Sequence, residues 1–441
     1  MGGDISGPRA GETDMFSRIQ GAARRNRHAG AGWLPLMAAC LPFAAGADVI
    51  ATFDEVADLT ITPIGVTYPA VTPEEIRTVY ANDMAAVHIA MYDAVVSIRG
   101  GYEAFATTPT SPTAGASANA AAAAAACGVL RGLFPNRGPQ YEPACASYIN
   151  ALPDNGARAK GLAVGNEVAA GTLAFVASDG RSTVVTYTPG SDPGDFRGTN
   201  PALPFGPFIR PLALESVSQF RAEGPPELTS YDYARDVNEV KSLGSAASTM
   251  RTAAQTDLAR FHTEPPPRFW TRNMRRFSTD GRSVLEHARL MAMLWIAQAD
   301  ATIACFDSKY HFDFWRPTSA IQLANTDGNP ATLEDAAWAP VVPTPNHPEY
   351  PAAHACNAAA VGAILDRYFG DKKFAFTIDS GVTGLTTSSF RYRRTADFVK
   401  DVKNSRVYGG MHYRNSVNDG ATLGVRVGNY IARNYFKRVR N

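Results

Sequence analysis

Residues 284–317 read VLEHARLMAMLWIAQADATIACFDSKYHFDFWRP. Residues 284–310 are an apolar run of helix-forming residues and predict one long helix with Lys309 at its end. Arg316 follows, immediately before Pro317. The proline ring biases the residue before it away from helical geometry, so the Arg316 guanidinium is expected to be presented from a bend.

Outward from this stretch, helix signals dominate. Thr72-Pro73-Glu74-Glu75 is a helix start, with a capping threonine, proline at the first helical position and acids in the first turn. Met84, Val87, Met91, Val95 and Ile98 then recur at spacings of three and four, which predicts an apolar stripe. His88 beside that stripe reads as a hydrogen-bonded core histidine. Residues 116–133 are alanine-rich and helical, and the run from Phe134 to Pro139 stops them. Residues 157–178 predict a helix whose Gly161, Gly165, Ala169 and Gly171 suit close helix packing. Further helices are expected over residues 231–243, 249–261, 352–369, 396–408 and 418–436. Strand alternation is confined to short pieces such as residues 183–187. The expected class is all-α, built from helical bundles. Residues 188–226 are polar and rich in proline and glycine, too long for a simple connection; they read as a functional loop, a lid or the join between two halves.

The chain has 441 residues, 45% hydrophobic and 19% charged, which suits a globular protein and argues against long disorder. A formal net charge of +1 gives no global case for nucleic acid or an anionic membrane, so any anion specificity must be local. Residues 1–47 read as a signal peptide. Arg24, Arg25, Arg27 and His28 form a basic region, a short apolar stretch follows, and Ala45-Gly46-Ala47 is a small-x-small cleavage site before Asp48. The same stretch can also be read as a lipoprotein signal ending at Cys40 or as an apolar helix of the fold. No later segment offers roughly 20 uninterrupted apolar residues, so no stable membrane anchor is expected. The export reading places residues 48–441 in the periplasm or outside the cell, as one all-α domain. Cys127, Cys145, Cys305 and Cys356 then remain; they can pair in three ways, but isolated buried thiols are the favoured reading.

Three segments concentrate unusual residues. The first spans Lys309 to Pro317. The second, Pro345-Asn346-His347-Pro348-Glu349-Tyr350-Pro351-Ala352-Ala353-His354, is a rigid approach into a helix whose first-turn amides suit an anion. The third, Ser405 to Ser416, breaks a helix at Gly409-Gly410 and delivers His412 just beyond. Arginine forks and a lysine point charge suit a tetrahedral oxyanion, and histidines supply a nucleophile, a ligand or a proton carrier. A zinc hydrolase built on His347, His354 and Cys356 fits poorly, because it leaves Lys309, Arg316 and Arg406 unexplained.

The order Lys309…Arg316-Pro317, then Pro351…His354, then Ser405-Arg406…His412 resembles the signature of the type 2 phosphatidic acid phosphatase superfamily. Phe314-Trp315-Arg316-Pro317 and His347-Pro348-Glu349-Tyr350-Pro351 resemble its vanadium-dependent haloperoxidase branch, and residues 84–102 and 239–261 also look like bacterial members. The resemblance implies two four-helix bundles around a vanadate site. It implies that Lys309, Arg316, Arg406 and the Ala353 amide hold the anion's oxygens, that His412 bonds the central atom, and that His354 is the acid–base group. Hydrogen peroxide, a halide (bromide favoured) and an organic acceptor would be the substrates. Two alternatives stay open: an acid phosphatase using a phosphohistidine intermediate on a phosphate ester, and a non-catalytic oxyanion-binding protein. The chain departs from the pattern twice. Ala352-Ala353 stands where relatives have Ser-Gly, which removes a side-chain hydrogen bond worth about 1.5–3 kcal/mol. Ser416 stands where many have an acid, so His412 is expected to lack its acidic partner, and Asp419 is expected to lie too far along to replace it.

Overall fold

Several helices begin where short polar side chains can close them. Ser117, Ser230, Thr252 and Ser283 each accept a first-turn amide, and Thr252–Gln255 and Ser283–Glu286 complete reciprocal capping boxes. The structure, a computed structural model, describes residues 48–62, 77, 79–277, 281–370 and 374–439. The residues read as a signal peptide and the helix start expected at Thr72 lie outside the described residues.

The chain is mostly helical, as expected, with one small antiparallel hairpin among the described residues. Helices α1 (Val49–Ile61), α2 (Tyr80–Arg99), α3 (Ala118–Leu133), α4 (Gly138–Ala151) and α5 (Gly156–Val176) pack as one group. Helices α6 (Tyr231–Gly244), α7 (Ala253–Phe261) and α8 (Pro266–Phe277) lead to α9 (Val284–Phe312), which touches both α2 and the later helices. The short α10 (Pro317–Gln322) precedes α11 (Ala353–Phe369), the hairpin β1 (Phe376–Asp379) with β2 (Ser389–Tyr392), α12 (Thr395–Tyr408) and α13 (Arg414–Asn434). Among the described residues α9 is the one helix long and apolar enough to cross a membrane, but it is sheathed in protein and serves as the core helix.

Small residues set the tightest contacts. A Cβ on Gly165 of α5 would lie 2.2 Å from the Ala121 carbonyl oxygen of α3, and one on Gly424 of α13 would lie 2.0 Å from that of Cys356 in α11. The close packing read from the glycines of α5 is present. The stripe expected on α2 is instead burial all round, because residues 81–96 are buried on every face. His88 is the expected core histidine: its Nε2 lies 2.9 Å from Asp54 Oδ1 and its side chain is fully enclosed.

Other expectations need correction. Residues 183–187 form no strand; the hairpin lies at residues 376–392. Helices α1, α4 and α8 lie where none was expected. The cysteines are paired, Cys127 with Cys145 and Cys305 with Cys356, because helix packing brings their Cα atoms to 6.1 and 6.5 Å. Residues 188–226 buttress the candidate site: Trp315 donates to Gly194 O, Phe196 to Asp313 O, Ala202 to Asn346 O and Gly224 to the Tyr350 hydroxyl.

Candidate active site

Lys309 sits in the last turn of α9, which ends at Asp313 in a left-handed conformation (φ 46°) whose carboxylate accepts the Tyr187 hydroxyl. The chain then runs extended through Arg316 (φ −77°, ψ 155°), and Pro317 opens α10, the bend expected from the sequence. Arg316 is buried. Its Nε donates to His347 O at 2.9 Å, Nη2 to His347 Nδ1 at 2.9 Å, and Nη1 to Met411 O at 2.9 Å and His412 Nε2 at 3.2 Å.

The second segment carries a residue whose role the sequence did not disclose. Glu349 is fully buried; its Oε1 lies 2.8 Å from His412 Nδ1 and accepts the Tyr413 amide at 3.1 Å, while Oε2 accepts the Ser416 hydroxyl at 2.5 Å. His412 therefore has an acidic partner, supplied from the proline-rich segment, and Ser416 holds that partner in place. This corrects the expectation of an unpaired His412. Asp419 is engaged elsewhere, by the Tyr350 hydroxyl and Asn415. An arginine can only donate, so His412 Nε2 is the lone-pair nitrogen and Nδ1 bears the proton directed at Glu349.

Ala352 is the N-cap of α11 and offers no side-chain hydrogen bond, which leaves the first-turn amides of Ala353 and His354 for another acceptor. Its methyl packs in an apolar cluster with Trp315, Tyr413 and Val417. Phe314 and Trp315 also belong to that cluster and are buried, so they pack in the core rather than line an open rim. Phe306 and His347 pair instead, ring centroids 5.2 Å apart, beside Arg316.

In the third segment, Gly410 adopts φ 77° and passes so close to α6 that a Cβ would lie 2.6 Å from Gly244 O. This turn brings Met411 and His412 back over Arg406. Arg406 is buried; Nη1 donates to His262 O at 3.0 Å, Nη2 faces Met411 Sδ at 2.8 Å, and Nε has no hydrogen-bond partner among the described residues. Lys309 differs from expectation: its three ammonium protons are taken by the carbonyls of Pro348, Glu349 and Pro351 at 2.9, 2.9 and 2.6 Å. It contributes charge and holds the segment; to bond an anion it must exchange one of these carbonyls.

Electrostatically the pocket is short of negative charge. Burial and then Arg316 hold Lys309 well below its ordinary range, burial brings Arg316 to about 10, and burial with Arg316 brings Arg406 to about 9. His412, His354 and His347 are each pushed well down by burial and then by these cations. Burial pushes Glu349 up, against the pull of Arg316, the Ser416 hydroxyl and Lys309. Three enclosed cations, one carboxylate, an orphaned arginine N–H and open helix-start amides fit a compact oxyanion such as vanadate or phosphate. Among the described residues no cluster of three or more His, Cys, Asp or Glu could hold a metal ion. Cys356 is joined to Cys305, which removes a ligand from the zinc arrangement.

A helical protein with a buried cationic pocket built on Lys309, Arg316 and Arg406 and faced by His412 is the class that fold and site define. Residues 289–441 match the family model described as the VCPO second helical-bundle domain. Over 222 residues, 41% of this chain, the sequence is 27% identical to vanadium chloroperoxidase of Curvularia inaequalis; the match spans only 36% of that protein's length. Among solved structures, the first bacterial vanadium-dependent iodoperoxidase superposes with a TM-score of 0.70 at 23% identity, covering 89% of this chain and 97% of that one. A holo-type bacterial vanadium-dependent chloroperoxidase superposes at 0.65 and 17% identity, covering 86% and 95%. The chain thus has the vanadium haloperoxidase fold, and the resemblance first seen in three short motifs stands.

Proposed function

We propose that this protein is a vanadium-dependent haloperoxidase that oxidises halide, bromide by preference, with hydrogen peroxide. The observation that carries this reading is the line Glu349–His412–Arg316. Glu349 accepts from His412 Nδ1, so the Nε2 lone pair is held toward the cations, where the central atom of an oxyanion would be bonded. Arg316, Arg406 and the Ala353 amide would hold its oxygens, and Lys309 adds charge beneath the segment. When bound, vanadate supplies the Lewis-acidic centre at which peroxide is activated toward halide. His354, kept neutral by burial and the surrounding cations, is suited to accept a proton from incoming peroxide.

Bromide is favoured on chemical grounds. It is easier to oxidise than chloride, and Ala352 provides no hydroxyl to polarise the oxidant. An exported location, periplasmic or extracellular, accords with two disulfides. Purified protein should brominate an organic acceptor when given orthovanadate, peroxide and bromide. Efficient hydrolysis of a chromogenic phosphate ester without vanadate, with no bromination above free vanadate, would replace this reading by the acid phosphatase. Binding of the anion with neither activity would leave a binding protein.

A further inference from the structure

Beside the anion pocket lies a cavity of about 20 Å³ lined by His262, Glu264, Phe269, Trp270, His354 and Val402, among others. One water needs roughly 10–15 Å³ of such space together with polar partners, so the chamber is water-sized. His262 caps the C-terminus of α7 and is only 3% exposed, and its Nε2 has no hydrogen-bond partner among the described residues. Its ring is held by Phe261, Phe269 and Phe398 at centroid distances of 4.9, 5.7 and 6.3 Å. Its carbonyl oxygen accepts from Arg406 Nη1. One residue thus faces the oxyanion pocket with its main chain and the chamber with its imidazole.

We propose that His262 is a relay residue for His354: one water in this chamber joins His262 Nε2 to the His354 ring and exchanges the His354 proton with solvent past Glu264. The inference rests on His354 being the acid–base group of the pocket. In the outward direction, protonated His354 gives its N–H proton to the water and the water gives one of its own to His262 Nε2. His262 then releases the proton on its other ring nitrogen, Nδ1, to a water on the far side of the ring and keeps the one it received at Nε2; no other reactant is consumed. Glu264 is ion-paired with Arg272, which is one-third exposed, so this end of the chamber lies near the surface. Burial and then Arg406 bring His262 to about 3, and burial and then Arg406 push His354 down as well, so neither traps the proton, and a bound anion relieves both.

The test uses full-length protein labelled with [15N]histidine and loaded with inorganic phosphate. NMR saturation transfer measures how fast the His354 ring N–H exchanges with water. His262→Phe should slow exchange at least tenfold while the phosphate Kd stays within about twofold. His262→Ala should be equally slow and should recover with added imidazole, a rescue that a purely structural role would not produce. Unchanged exchange in both variants overturns the relay. Loss of phosphate binding in both also overturns it, because His262 would then serve only to support Arg406. Failure of the wild-type protein to bind phosphate is a separate result; it would defeat the oxyanion reading itself, and the relay with it.

Discussion

Glu349 and His412 meet 2.8 Å apart, 63 positions apart in the chain and both excluded from solvent. The carboxylate fixes the imidazole's tautomer, and Ser416 and the Tyr413 amide fix the carboxylate. Glu349→Gln keeps the shape but removes the pocket's buried negative charge. Turnover should fall about 10- to 100-fold, the usual cost of losing a ligand's partner. Glu349→Ala should also lower the unfolding free energy by roughly 3–5 kcal/mol, since it leaves buried cations uncompensated. Wild-type turnover in the Gln variant would show that the contact is structural only.

The two pocket histidines should separate by role. His412→Ala is expected to abolish both vanadate binding and activity, because the bonding nitrogen is gone. His354→Ala should still bind vanadate and lose turnover. Titration of each variant with vanadate, monitored by 51V NMR, checks this; equal losses of affinity would contradict the assignment.

Ala352→Ser places a hydroxyl at the N-cap of α11. If it reaches the anion, vanadate should bind more tightly by up to roughly tenfold, equivalent to about 1.4 kcal/mol. If it caps the helix instead, thermal stability should rise by about 1 kcal/mol with the vanadate Kd unchanged. Paired measurements of Kd and unfolding decide between the two.

The disulfides should differ in what they support. Cys305–Cys356 ties α9, whose last turn carries Lys309, to α11, whose first turn carries His354, whereas Cys127–Cys145 joins α3 to α4. Replacing either pair by alanine should cost about 2–4 kcal/mol of stability. Only loss of the first should weaken vanadate binding. Equal Kd values for both double variants would show that α9 and α11 are held by packing alone.

Asp300 accepts the amides of Leu212, Ala213 and Leu214, anchoring the long segment to α9. Burial pushes its carboxyl up to about 6 despite these bonds. Its folded-state value thus lies above the unfolded value of roughly 3.9, so its stabilising contribution is complete below that pH and is lost as pH rises through about 6. Compared with Asp300→Asn, the wild type should lose up to about 3 kcal/mol of relative stability between pH 4 and 7. Denaturant melts at the two pH values check it; a difference independent of pH would refute the shift.

Local chemistry in the sequence determined much of this protein. Capping residues and apolar runs marked most of the long helices, Pro317 set the bend at Arg316, and the glycines of α5 announced a close helix contact. The oxyanion motifs were legible because lysine, arginine and histidine at those spacings have few other uses together. Tertiary structure alone decided which groups meet. Glu349 lies among prolines and reads as an ordinary loop acid until α13 and the Gly410 turn bring His412 onto it. Ser416 looked like a missing acid because its partner lies in another segment. Lys309 has its donors spent on Pro348, Glu349 and Pro351 because the second segment folds directly over the end of α9. Helices and caps arise from neighbours within a few residues; pairings across tens of residues depend on how finished helices pack, and no local pattern records that.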